Sequence, residues 1–148
     1  MSIIKFIGNT PLFGVENNIF LKLEGCNPSG SVKDRPAKHI LLSMNLPRGS
    51  SVVEATSGNF GISLAMLSAV MGYRFTAVMP RSASPERESI IRAYGGETLR
   101  VYSMADAVET AERIDGYKPR QFENSKNIRC FFGSGVLRNR GNRTDSLI

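Results

Sequence analysis

Ser51-Val52-Val53-Glu54-Ala55-Thr56-Ser57-Gly58-Asn59-Phe60-Gly61 decides the fold of this chain. Its first half, Ser51 to Ala55, is a short run built on two β-branched valines, the pattern of a buried strand. From Gly61 to Met71 the residues are apolar nearly all round, as a helix buried against a sheet requires. Between the two, Thr56, Ser57, Gly58 and Asn59 place hydroxyls, an amide and backbone N–H groups where a helix begins. The first N–H groups of a helix have no intrahelical partner, so this turn suits an anionic ligand.

The same alternation recurs downstream. Phe75 to Met79 reads as a strand, and Ser84-Pro85-Glu86 offers an N-cap, an N1 proline and an early acid for a helix ending at Gly95-Gly96. Thr98 to Tyr102 reads as the next strand. Ser103 then caps a helix with Ala105, Val108, Ala111 and Ile114 expected on its inner face and Gly116 at its end. A fourth strand is expected around Arg120-Gln121-Phe122. Strands alternating with helices of this length indicate an α/β fold, a doubly wound parallel sheet flanked by helices. Ligands of such sheets sit beyond the carboxyl ends of the strands, where Thr56 to Asn59 lie.

Upstream, Asn27-Pro28-Ser29-Gly30-Ser31-Val32-Lys33-Asp34-Arg35 holds one lysine in a Gly/Pro/Ser turn. Pro36 suits the first turn of a following helix, with Ala37, Ile40, Leu41 and Met44 on one face and Pro47 and Gly49 closing it. A lysine amine becomes a nucleophile once burial favours its neutral form. Its commonest covalent partner is a carbonyl compound, pyridoxal phosphate above all. An amine and an anion cradle in tandem point to a cofactor site. Ahead of both, Gly8-Asn9-Thr10-Pro11-Leu12 is turn-rich, and Ile19 to Glu24 partly alternates like a strand.

Composition excludes several other classes. With 148 residues and 41% hydrophobic content the chain can bury one core. Its net charge of +6 is uneven: residues 129–148 hold four arginines against Asp145, leaving +3 there and +3 in the other 128 residues. No basic helix or aromatic-interleaved patch supports nucleic-acid binding. Two cysteines, Cys26 and Cys130, are too few for a disulfide framework or a zinc site, so no metal is expected. No run reaches the length of a membrane span, and the first residues lack a signal-peptide core. A cytoplasmic location is expected. His39 reads as a helix-surface residue and Cys26 as a packed or half-exposed thiol.

The two central motifs, with Gly8-Asn9-Thr10-Pro11-Leu12 and Leu21-Lys22-Leu23-Glu24 before them, resemble cysteine synthase (O-acetylserine sulfhydrylase), particularly its B-type isozyme. The resemblance covers about residues 5 to 127, with several separate motifs in the family's order. It implies a pyridoxal-phosphate enzyme of cysteine biosynthesis that acts on a small amino acid. Acetate leaves O-acetylserine and sulfide adds to give cysteine, a β-replacement by a transferase/lyase. The resemblance makes Lys33 the Schiff-base lysine and α-proton base, and Asn59 a contact to the cofactor ring oxygen. It assigns Thr56, Ser57, Gly58, Asn59 and Phe60 to substrate binding, with Gln121 of Gln121-Phe122-Glu123-Asn124 as a second carboxylate contact.

Two departures from the family pattern carry their own expectations. Phe60 stands where close family members carry threonine, so a ring replaces a hydroxyl near the substrate. After Asn127 the family's continuation gives way to an arginine-rich end, and the expected glycine-rich phosphate loop is missing, since Gly133-Ser134-Gly135 is too short to replace it. The expectation is a truncated version of the two-domain family fold. Residues 1–33 would be strands of the large domain, residues 34–127 the small α/β domain, and residues 128–148 a divergent, frameshifted tail, disordered from about residue 134. Ile19, Phe20, Leu21 and Leu23 would then lack their cover, inviting association with a second copy or a full-length relative. The alternatives to an active enzyme are an inactive remnant and a binding or regulatory module.

Overall fold

The computed structural model describes residues 2–16 and 19–130. Within them a central sheet is built from β3 (Ser51–Ala55), β4 (Arg74–Pro80) and β5 (Glu97–Val101), all parallel and in that spatial order. Before the sheet come a hairpin of β1 (Leu12–Glu16) and β2 (Ile19–Lys22) and a helix α1 (Asp34–Met44). Helices α2 (Asn59–Met71) and α3 (Pro85–Ala93) make the crossovers, followed by α4 (Met104–Arg113) and a short α5 (Lys126–Arg129). The register runs Val52↔Phe75 and Val53↔Thr76 between β3 and β4, then Ala77↔Thr98 between β4 and β5.

The period-two alternation of strands divides the core in two. Val52, Phe75, Ala77 and Met79 face a large cluster with Ile40 and Leu41 of α1, Leu64 and Leu67 of α2, and Ile91 of α3. On the opposite face Val53, Ala55 and Val78 meet Ala107 and Ala111 of α4. Helices on both faces of a parallel sheet make this the doubly wound α/β fold. Because α2 is apolar on every side, it is buried from Phe60 to Ser68.

Local chemistry sets the boundaries, and some differ from expectation. Helix α1 starts at Asp34 and stops at Asn45, which takes the left-handed conformation (φ 47°) ahead of Pro47 and Gly49. Ser103 caps α4 through a capping box with Asp106. The inner face of α4 lies one position off, at Met104, Ala107, Ala111 and Ile114, so that Ala105 and Val108 are exposed. The fourth strand shrinks to one bridge, Val52↔Tyr117, and residues 121–123 form a turn. Pro119 has no N–H to give a ladder, and Arg120 has a positive φ of 50°, which breaks extended pairing.

The N-terminal segment is held by Ile7, buried in the large apolar cluster, and by a polar cluster built on one ion pair. Arg35 donates to both carboxylate oxygens of Glu24 (2.8 Å each), to Gly8 O (2.7 Å) and to Thr10 Oγ1 (3.2 Å). Thr10 and Asn27 also donate to Glu24 (2.8 Å each), so the carboxylate joins three separate sequence motifs, residues 8–12, 21–24 and 27–35. Burial pushes the Glu24 carboxyl up, but these hydrogen bonds outweigh it and hold the group below its ordinary range. The hairpin beyond is uncovered: Phe13 is 64% and Phe20 54% exposed, with Leu12, Val15, Ile19, Leu21 and Leu23 exposed beside them. At the other end, α5 straddles the boundary expected at residue 128 and packs on α1, and Cys130 is buried. Gly133-Ser134-Gly135 and the expected disordered stretch lie outside the described residues.

Candidate functional site

The lysine turn is shaped by Gly30, whose positive φ of 85° closes a turn with its N–H on Asn27 O (2.8 Å). Lys33 is half-buried at the mouth of α1, immediately before the fully buried Asp34. Asp34 accepts from Ser29 N (2.8 Å) and from the Ser29 hydroxyl. The Ser29 hydroxyl also lies 3.1 Å from that of Ser63 on α2, which donates to Asn59 O (3.0 Å). This relay of short polar side chains seats the Lys33 turn on the first turn of α2.

On the other side of that contact, the Thr56 hydroxyl oxygen accepts from Gly61 N (3.1 Å) and Gly58 N (3.3 Å). Gly61 permits this approach: a Cβ there would stand 2.5 Å from Thr56 Cγ2. Among the described residues, the N–H groups of Asn59 and Phe60, the first two of α2, have no protein acceptor. Ser57 and Asn59 are exposed at this helix start, and Arg87 of α3 donates to Ser57 O (3.1 Å) with its guanidinium over Gly58.

Gln121 is the third segment of the site. It is 7% exposed, and its backbone N–H donates to Glu54 Oε1 (3.1 Å) while Arg120 N donates to Glu54 Oε2 (2.8 Å). Since Glu54 precedes Thr56 by two residues, Gln121 is anchored to the strand that carries the loop.

Two of the expected substrate contacts are placed differently. Thr56 is 1% exposed and shapes the loop from behind. Phe60 is 3% exposed and belongs to the large apolar cluster with Ile91 and Ala83, so its ring fills the core rather than facing a ligand. An aromatic ring on the inner side of a buried helix gains more from apolar contact than from a solvent-facing site. Arg87, Ser29, Ser63 and Glu54 carry the geometry without having been expected to. Glu54 left one sequence signal, a lone acid inside an apolar strand.

A family model described as "Pyridoxal-phosphate dependent enzyme" matches residues 3–137. The chain belongs to the pyridoxal-phosphate dependent enzyme family. The match runs ten residues beyond Asn127, where the sequence resemblance was expected to stop. Within this family the chain is 40% identical over 146 residues to a cysteine synthase B of Pseudomonas syringae pv. syringae, covering 86% of each. It is also 40% identical over 143 residues to an O-ureido-L-serine synthase of Streptomyces lavendulae, covering 85% of this chain and 44% of that one. A hydrogen sulfide-producing enzyme of Fusobacterium nucleatum superposes with a TM-score of 0.81 at 37% identity, covering 89% of this chain and 50% of that chain. The chain spans 44% to 47% of the length of several curated relatives it matches. Among the described residues no helix is long and apolar enough to cross a membrane.

The residues present fit part of the family cofactor. An amine at Lys33, an amide at Asn59 and two unclaimed N–H groups suit its carbonyl, its ring oxygen and an adjoining carboxylate.

Proposed function

We propose that this chain carries the amine and the substrate-carboxylate cradle of a cysteine synthase-type site. Lys33 would hold pyridoxal phosphate through its amine, a group that suits the cofactor's carbonyl, and Asn59 would hydrogen-bond the ring oxygen. When bound, the cofactor serves as an electron sink for the α-carbon of an amino acid. The N–H groups of Asn59 and Phe60, with Ser57 and the Gln121 amide, orient the substrate carboxylate. Lys33 Nζ takes up the α-proton and returns it to the α-carbon of the product. Across the reaction the C–O bond of O-acetylserine breaks, acetate departs, and a C–S bond to sulfide forms to give cysteine.

The observation that carries this reading is the Ser29–Ser63–Asn59 relay, which joins the lysine turn to the only loop with unclaimed N–H groups at the start of a buried helix among the described residues. Membership of the family supports the cofactor, and relatives named cysteine synthase B support sulfide as the nucleophile. The O-ureido-L-serine synthase relative favours a second reading in which the incoming nucleophile is a ureido donor and the carboxylate cradle is unchanged.

Reductive trapping tests the reading. Purified chain is incubated with pyridoxal phosphate, reduced with borohydride, and digested for mass spectrometry. A pyridoxyl mark concentrated on Lys33 and absent from Lys33→Ala is expected. Equal marking of all lysines would refute the assignment.

A further inference from the structure

Glu54 is 5% exposed, and both of its oxygens are spent on backbone N–H groups 66 and 67 residues further along. Apart from the Arg120 guanidinium, which donates to Glu112 of α4 (3.2 and 2.8 Å), the polar groups of the turn to which those N–H groups belong are closed on the turn itself. Glu123 N and Asn124 N donate to Arg120 O (3.0 and 2.9 Å), Asn124 Nδ2 to Pro119 O (3.1 Å), and Asn127 Nδ2 to Gln121 O (2.6 Å). The turn itself thus reaches the sheet through one carboxylate. That carboxylate leaves the same strand that runs on into Thr56, Ser57 and Asn59.

We propose that Glu54 is a positioning residue for the carboxylate cradle: by gripping the N–H groups of Arg120 and Gln121 it sets where the Gln121 side chain stands relative to the Thr56–Asn59 loop. The inference rests on the reading above, in which Gln121 and the loop share one substrate carboxylate. It adds a residue that touches neither substrate nor cofactor.

The grip depends on ionisation. A carboxylate is a pure acceptor and can serve two N–H donors. A protonated carboxyl has lost its charge and carries an O–H on one oxygen, which is then a poorer acceptor for the N–H it faces. Protonation therefore weakens one of the two anchors more than the other. Burial pushes the Glu54 carboxyl up to about 7, against the pull of the two N–H bonds. Glu112 of α4 pushes in the same direction as burial, and Arg120 opposes it. Lys118 and Glu123 complete the charged lining of the cleft beside Val108 and Phe122.

The signs for stability and for site order are opposite. Because the folded value of about 7 lies above the ordinary 4.5, the protonated form is favoured in the folded state. Its stabilising contribution is full below pH 4.5 and lost as pH rises through 7. The order of Gln121 is gained over that same rise. An acid in this apolar strand thus weakens the fold near neutrality while tightening the site.

The test is an amide NMR titration of the full chain without cofactor, from pH 5.5 to 8.5, with L-serine as the probe ligand. The Arg120 and Gln121 amides are expected to shift together with a midpoint about 7. Glu54→Gln abolishes that titration, and Glu112→Gln, by removing a like charge, moves the midpoint down. L-serine affinity, read from the Ser57 and Asn59 amides, rises about tenfold from pH 6 to pH 8 in the parent chain, and stays flat in Glu54→Gln. Flat amides at 120 and 121, or amides that titrate while affinity does not follow, would overturn the proposal. If Glu54→Gln fails to fold, the parent titration and Glu112→Gln decide the matter. Failure to trap Lys33 with the amide titration intact would count against the cofactor reading and leave the Glu54–Gln121 coupling standing. The reverse pattern would do the opposite.

Discussion

The hydroxyls of Ser29 and Ser63 lie 3.1 Å apart, joining the lysine turn to the helix that begins at Asn59. Three oxygen contacts, Ser29 to Asp34, Ser29 to Ser63 and Ser63 to Asn59 O, share two hydroxyl protons. One of the three contacts therefore carries no proton at any instant, and loss of the Ser29 hydroxyl removes two of them.

Replacing Ser29 by alanine removes a hydrogen bond to a fully buried carboxylate. The expected cost is about 1.5–3 kcal/mol in denaturant unfolding, with Ser29→Thr retaining most of the stability. Reductive trapping at Lys33 is expected to fall in the same variant, since the turn loses its seat on α2.

Glu24→Gln leaves the Arg35 guanidinium, 5% exposed, without its counter-charge. A loss of about 3 kcal/mol is expected from chemical denaturation. The parent chain should also weaken in acid. The Glu24 carboxyl sits below its ordinary value of 4.5 when folded, so its contribution is present above that value and is lost as pH falls through the lowered one. A denaturation midpoint falling with acid in the parent and much less so in Glu24→Gln is the expected comparison.

Gly61→Ala places a Cβ 2.5 Å from Thr56 Cγ2, 3.1 Å from Thr56 Oγ1 and 3.2 Å from Ile91 Cδ1. Both neighbours are buried, so the strain cannot be relieved into solvent. Overpacking of this kind costs about 1–3 kcal/mol, visible as a lower melting temperature. The shift also pushes Thr56 Oγ1 off the Gly61 N–H, so the amide resonances of residues 58–61 should move with it.

The two thiols should differ in reactivity. Cys26 is exposed, whereas Cys130 is buried and burial pushes its thiol up to about 11. A thiol reagent at neutral pH is expected to label Cys26 quickly in native protein and Cys130 only after denaturant is added. Fast labelling of both would show that α5 does not hold Cys130 against α1.

The exposed hairpin predicts association. Phe13 and its cross-strand partner Leu21 expose apolar surface on one face of the hairpin, and Phe20, opposite Gly14, exposes it on the other. Sedimentation should show concentration-dependent self-association or dye-binding aggregates, both reduced in the double variant Phe13→Lys, Phe20→Lys. An unchanged profile would mean that this surface is inert in solution.

The layered fold was legible because its signals are local. Valines at Val52 and Val53, an all-apolar α2 and the Ser84-Pro85 and Ser103 helix starts each follow from side-chain and backbone preferences within a few residues. The assignment of Lys33, Asn59 and Gln121 to one site came from the resemblance and from no local signal. What escaped the sequence depends on long-range packing. The phase of α4 is ambiguous because Ala105, Val108, Ala111 and Met104, Ala107, Ala111 both recur at helical spacing, and only the neighbouring sheet selects the second. Phe60 entered the site through the resemblance, and what the sequence left open was its side-chain direction: the ring turns into the core while its N–H stays at the helix start. Arg120 to Phe122 read as a strand because a carboxylate 66 residues earlier in the chain was invisible as its partner. Glu54 is the common element, a charge that local rules disfavour and that only the folded turn explains.

If the Lys33 turn, the Ser57–Asn59 loop and Gln121 form one cofactor and substrate site, the three segments must respond to the same ligands. Amide NMR mapping during titration with pyridoxal phosphate and then O-acetylserine reads this out. Perturbations confined to residues around 31–34, 57–61 and 120–122, saturating together, are expected. Perturbations scattered over exposed lysines, or saturating at different concentrations in the three segments, would rule out a shared site.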